Sequence, residues 1–181
     1  MGWIRALPCP PDLSDCSFHP IVISKRIIVR QIIEQLTEQL ATLAGASLAM
    51  HADASDEQNK AEDKYDTRRL ETAYLASSQA RLATETEQAL AVYQSLELGK
   101  FQKTTPINLT ALVELESSGT RTLYFLGPTS GGLEIHHQRT EVLVITPESP
   151  LGQQLLGRKA GDRVKIQTRG SVQESRVTSV S

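Results

Sequence analysis

From Ile23 to Leu98 the chain has no proline and a single glycine, Gly45. These two residue types most often end a helix, so such a stretch limits the fold more than any other feature of the sequence. Within it Val29, Ile33, Leu36, Leu40, Leu43, Ser47 and Met50 recur in alternating steps of four and three. That is a heptad seam, the spacing that keeps one helical face on a neighbouring helix. Ile32 and Leu48 widen the stripe. Gly45 costs about 1 kcal/mol against Ala in a helix interior, too little to end the helix. Further along, Leu75, Leu82, Ala89 and Leu96 lie seven apart, with Val92 and Tyr93 near the same face. All of these read as packing positions, and an apolar seam needs no cofactor.

Between the two seams the segment from Asp53 to Asp66 holds Asp53, Asp56, Glu57, Glu62, Asp63 and Asp66 against only Lys60 and Lys64. Two geometries fit it. In one, an antiparallel helical hairpin turns here and carries the acids at its tip; in the other, they form a solvated patch on one continuous helix. A continuous helix of about 75 residues would need a partner chain to cover its seam, whereas two arms of about 35 residues, roughly 50 Å each, cover one another. Ser55 followed by Gln58 fits a capping box, a start signal for the second arm. The hairpin is the expected form, with its tip near residues 53–63. Toward the tip the second stripe degrades to Tyr65, Leu70 and Tyr74, so the far end should pack more loosely.

The pattern changes at Gly99. After a short linker, 99–106, come strand-like runs: Leu109 to Leu115, Thr122 to Leu126, Leu133 to Ile135, Glu141 to Ile145, Arg163 to Gln167 and Glu174 to Val180. Glycine-rich turn signals separate them. One short helix interrupts the series. Ser149 suits its N-cap, Pro150 the first helical position, Leu151, Leu155 and Leu156 the buried face, and Gly157 the stop. The fold class is therefore α+β: a helical hairpin over 23–98, then a compact antiparallel β domain over 107–181 with one short helix. Residues 1–22, rich in proline, read as a disordered leader, and translation starting near Val22 or Ile23 is the alternative to it.

Charge and cysteines narrow the function classes. Residues 21–97 hold 8 Lys/Arg and 12 Asp/Glu, a net of −4, and residues 98–181 hold 10 and 7, a net of +3. An acidic first half and a mildly basic second half suit a partner with surfaces of both signs; +3 is too weak to signal nucleic-acid binding alone. Cys9 and Cys16, seven apart and without a second Cys/His pair, are not a zinc pattern. No run reaches the roughly 18 apolar residues of a membrane span. There is no phosphate loop, no His-Glu-x-x-His and no nucleophile elbow, so any catalysis would have to come from the acidic stretch or from something the protein binds. His19 and His51 are isolated. His136-His137 would face opposite ways in a strand and so reads as a surface turn rather than a metal ligand pair.

The run Ile145-Thr-Pro-Glu-Ser149-Pro150-Leu-Gly-Gln-Gln-Leu155-Leu156-Gly157-Arg-Lys-Ala-Gly161-Asp162-Arg-Val164 resembles the carboxy-terminal signature of the GreA/GreB transcript-cleavage factors of bacterial RNA polymerase. Asp63-Lys-Tyr65-Asp66-Thr-Arg-Arg, followed by Glu71-Thr-Ala-Tyr-Leu and Arg81-Leu82, is similar to the family's Ala-Glu-Tyr-Asp segment and the helix after it. The resemblance covers about residues 23–180. It implies an antiparallel coiled coil and an FKBP-like carboxy-terminal domain that docks at the rim of the polymerase secondary channel. The coiled coil enters the channel, and tip carboxylates help hold a catalytic Mg²⁺ of the polymerase, a hard cation that prefers oxygen ligands. The chain would then have no cofactor of its own and would meet RNA and DNA only inside the transcription complex.

Carried over residue by residue, the family's Asp-Leu-x-Glu-Asn-Ala-Glu-Tyr-Asp aligns on Tyr65-Asp66 and places the metal-holding acids on Gln58 and Ala61. One deletion moves them to Asn59 and Glu62. Asn59 keeps an oxygen but loses the charge, so Asp56, Glu57 and Asp63 would have to contribute, with Glu62 and Asp63 nearest to a metal role in the complex. For docking, the resemblance points to Ser149 and Pro150. The expectation is a monomeric, cytoplasmic, Gre-like regulator of elongation, with transcript cleavage the weaker part of the reading. Two alternatives stay open: an FKBP-like prolyl isomerase, and a coiled-coil adaptor outside transcription.

Overall fold

The computed structural model describes residues 23–55, 67–102, 104–138, 140–168 and 171–181. The expected leader 1–22, with Cys9, Cys16 and His19, lies outside them. Two helices come first, α1 (Lys25–Ser55) and α2 (Thr67–Gln94), joined through residues 56–66. They run antiparallel, for the start of α1 meets the end of α2. Lys25 Nζ donates to the Gly99 carbonyl and sits 4.6 Å from the centre of the Phe101 ring, while Leu36 and Ala89 share one buried cluster. Burial lowers the pKa of Lys25. No described helix is long and apolar enough to cross a membrane.

Up to Leu43 the α1 seam is as expected: Val29 and Leu36 are buried, and Ile33, Leu40 and Leu43 half-buried; the side chains of Ser47, Leu48 and Met50 lie outside those described. The α2 seam is not. Leu75, Leu82 and Val92 are 49, 42 and 41% exposed, while Ala83, Thr86, Leu90 and Tyr93 face inward. These follow the same steps of three and four from a different starting point. Thr86 can occupy a seam position because its hydroxyl donates to the Leu82 carbonyl (2.7 Å) and leaves only its methyl to pack. A polar residue with its hydroxyl satisfied inside the helix conceals the true stripe.

Six strands follow: β1 (Leu112–Ser117), β2 (Thr120–Leu126), β3 (Glu134–His137), β4 (Thr140–Ile145), β5 (Arg163–Thr168) and β6 (Ser171–Val180), with helix α3 (Pro150–Leu155) after β4. Their order in one sheet is β3-β4-β2-β1-β6-β5. All pairings are antiparallel except β2 with β4, which is parallel. The fully antiparallel expectation fails there because residues 127–133 carry the chain across to the outer edge, where β3 runs before β4 returns beside β2. Several boundaries also move, two of them with consequences. Thr110 takes φ 68° in the left-handed region, so β1 begins only at Leu112. The third strand extends to His137, which places both histidines in a strand and not in a turn.

Alternation along the strands gives two apolar faces. Leu112, Phe125, Ile135, Val142 and Val144 point to one side, where Ile28, Val29, Ile32, Leu36, Ala89 and Tyr93 of the hairpin base cover them. Val113, Leu115, Leu126, Ile145, Val164 and Val177 point to the other, covered by Leu155 of α3 with Ile107 and Ala111. The hairpin is therefore built into the sheet's core, in addition to its connection through residues 99–106.

Tyr93 marks that junction. It is 1% exposed, and its hydroxyl donates to the Thr129 carbonyl at 2.7 Å. A Cβ on Gly127 would collide with that hydroxyl, so only glycine lets the loop pass so close. Burial pushes the Tyr93 pKa up to about 12. An acid whose folded pKa exceeds its unfolded value of about 10 contributes stability below pH 10 and loses it as pH rises toward 12, here by roughly 2–3 kcal/mol. Tyr93→Phe should remove this component. Urea unfolding at pH 9 and pH 11.5 checks it; equal losses in the two proteins would contradict it.

Candidate functional site

The short helix α3 begins with a cap the sequence makes legible. Ser149 has extended backbone (φ −67°, ψ 151°), and its hydroxyl accepts from the Gly152 amide at 3.0 Å. The same hydroxyl donates to the Thr146 carbonyl at 2.7 Å. Pro150 follows in the first turn, where its missing N–H costs nothing. Gly152 is required there, because a Cβ would strike the Thr146 carbonyl oxygen. Leu155 is fully buried, whereas Leu156, expected on the buried face, is 38% exposed. The helix ends between them: Gly157 takes φ 76°, and its amide donates to the Ile107 carbonyl at 2.9 Å.

Of the two docking candidates, Ser149 is half-buried with its hydroxyl used in the cap, and Pro150 is exposed. Around them the surface is mixed. Leu156 and Gly157 border a shallow open cleft with Phe101, Pro106 and Ile107. Arg158 and Lys159 are exposed beside it, and the Lys159 amide donates to Asp162 Oδ2 at 2.9 Å, which closes the turn before β5. Arg163 lies 3.5 Å from Glu174 on the neighbouring strand. This face offers apolar contact with Arg158 and Lys159 next in sequence to it.

The tip candidates Asp56, Glu57, Asn59, Glu62 and Asp63 lie outside the described residues. α1 ends at Ser55 just before that segment, and α2 begins at Thr67 just after it. His136 and His137 lie on opposite sides of β3, His136 with its Nε2 4.0 Å from Glu134. The aromatic residues Tyr124 and Phe125 of β2 are occupied in packing: Phe125 is fully buried under the hairpin, and Tyr124 is half-buried in the opposite core. Sequence reasoning had no signal for Gln31 and Gln35, whose side-chain amides reach from α1 to the carbonyls of His136 and Glu134.

Residues 106–181, the segment holding the sheet, α3 and its cap, match the family model described as transcription elongation factor, GreA/GreB, C-term. Over that segment the chain is similar to the GreA/GreB carboxy-terminal domain. Among solved structures, Gfh1 of Thermus aquaticus is 23% identical, covering 81% of this chain and 92% of that one, with a TM-score of 0.35. GreA factor homolog 1 (Gfh1) of Thermus thermophilus is 21% identical over 82% and 94%, with a TM-score of 0.34. The prokaryotic transcription elongation factor GreA/GreB from Nitrosomonas europaea is 19% identical over 52% and 78%, with a TM-score of 0.34. No curated protein sequence matches. In this Gre-like protein Ser149 and Pro150 fall inside the matched segment, and the acidic tip precedes it.

Proposed function

We propose that this Gre-like protein binds bacterial RNA polymerase through the α3 face, passes its hairpin into the secondary channel, and modulates elongation. The polymerase would perform any RNA cleavage. The supporting observation is the way the hairpin is mounted. Its base shares a core with the GreA/GreB domain, and the nineteen residues after Leu36, up to Ser55, carry α1 about 28 Å beyond the last position buried in that core. A docked domain would thereby hold the tip at a set distance and direction. The protein would act as a monomer in the cytoplasm and meet nucleic acid only within the transcription complex.

At the tip, the donor set consists of carboxylates with one neutral amide, and oxygen ligands suit Mg²⁺. Glu62 and Asp63, with Asp56 and Glu57 nearby, would lend charge to a polymerase-held ion; Asn59 would bind it more weakly. Bound there, Mg²⁺ supplies an activated water. The sequence spacing supports delivery of acids to the active centre more strongly than efficient cleavage.

A stalled elongation complex with purified polymerase tests the proposal. Altered release from the stall at saturating protein is the expected result, and shortened RNA would add cleavage to it. No effect and no co-purification with polymerase would reject it. A second test concerns docking. Ser149→Asp keeps a good N-cap and adds a negative charge, and Pro150→Ala removes an exposed ring. Together they should weaken polymerase binding by about tenfold, or about 1.4 kcal/mol, while circular dichroism stays unchanged. Unchanged affinity in the folded double variant would show that this face does not dock.

A further inference from the structure

We propose that Glu134, His136 and Glu141 form a binding site for a divalent transition-metal ion, with Zn²⁺ the best match, on the outer edge of the sheet. The site is distinct from the acidic tip and does not depend on the proposed polymerase role.

The register creates it. Glu134 and His136 are two apart on β3 and so project from the same face. Glu141 of β4 stands directly opposite His136 in the antiparallel ladder. One ligand atom from each of the three lies within 4.8 Å of the others. The side chains are open to solvent, His136 at 66% and Glu134 at 60% exposed, so they can rotate the remaining distance onto an ion. Bonds of about 2.0–2.2 Å to imidazole nitrogen and carboxylate oxygen suit such a set. One nitrogen and two oxygens favour Zn²⁺ and its neighbours over Mg²⁺, which prefers oxygen alone. An ion would also offset the repulsion between two carboxylates held on one face. His137 points to the other side and takes no part.

The backbone beneath the site is already held. Gln35 Nε2 donates to the Glu134 carbonyl at 3.1 Å, and Gln31 Nε2 donates to the His136 carbonyl at 3.2 Å. Ile135, between the two ligands, is fully buried under the hairpin. Edge strands elsewhere are free to fray; here α1 occupies the outward carbonyls of both ligand-bearing residues. The metal ligands and the hairpin base thus share one strand, and an ion bound on its outer face would tighten the contact between α1 and the sheet.

Calorimetric titration of the full chain with ZnCl₂, in a Cys9→Ser, Cys16→Ser background that removes competing thiolates, tests the site. One Zn²⁺ per chain is expected, with MgCl₂ binding much more weakly at this edge. His136→Ala should weaken Zn²⁺ affinity by at least about tenfold, a loss seen even for residues that only orient a ligand, and Glu141→Gln should also weaken it. His137→Ala, and Glu62→Gln with Asp63→Asn, should leave it unchanged. His136 and Glu141 are exposed and His137 is half-buried, and circular dichroism checks that each variant is folded. Absence of Zn²⁺ binding by the parent, unchanged affinity in His136→Ala, or an equal loss in His137→Ala would each overturn the proposal.

Discussion

Replacing Phe125 by Ala is expected to lower the free energy of unfolding by about 3–5 kcal/mol and to melt the hairpin together with the sheet. Phe125 is fully buried on β2, at the face where the hairpin base and the GreA/GreB domain join. Its removal leaves a cavity bordered by residues of both parts, including Val144 of β4 and Tyr93 of α2. Tyr93 cannot easily swing in to fill that cavity, because its hydroxyl is bound to the Thr129 carbonyl. The helical and sheet signals should therefore lose stability equally. Helicity that persists after the sheet has melted would show that the hairpin is stable without the shared core.

The second large effect falls on activity. Substituting Ala at both Glu62 and Asp63 should reduce the protein's effect on stalled complexes by about tenfold or more, since a transition state that depends on a metal loses charge stabilisation when carboxylates leave its shell. Polymerase affinity should change by less than about threefold, because the proposed docking face lies on α3, outside the tip. Unchanged activity would remove these acids from the mechanism. Lost binding, by contrast, would make the tip an attachment point.

The periodic features were the legible ones. The α1 seam, the cap at Ser149, the stop at Gly157 and most strand positions follow from spacing and turn chemistry, which act locally. Features that depend on which surfaces meet were not. Thr86 takes a seam position that its type disguises, and Leu82 is 42% exposed despite being apolar. The parallel pairing of β2 with β4 depends on where one loop crosses, which no local signal records. The histidine doublet resembled a turn because its partner Glu141 is five residues from His136 and meets it only through strand register. The GreA/GreB signature around α3 was readable because its cap, its glycines and its apolar residues all sit within one short segment.

The central claim is that the hairpin delivers its acidic tip to the polymerase active centre. A photo-crosslinking residue placed at Asn59, in protein bound to a stalled elongation complex, tests this most directly. The predicted result is a crosslink to polymerase segments surrounding the catalytic metal, lost when the Ser149→Asp, Pro150→Ala variant is used. Crosslinks confined to the outer surface of the polymerase would contradict the claim.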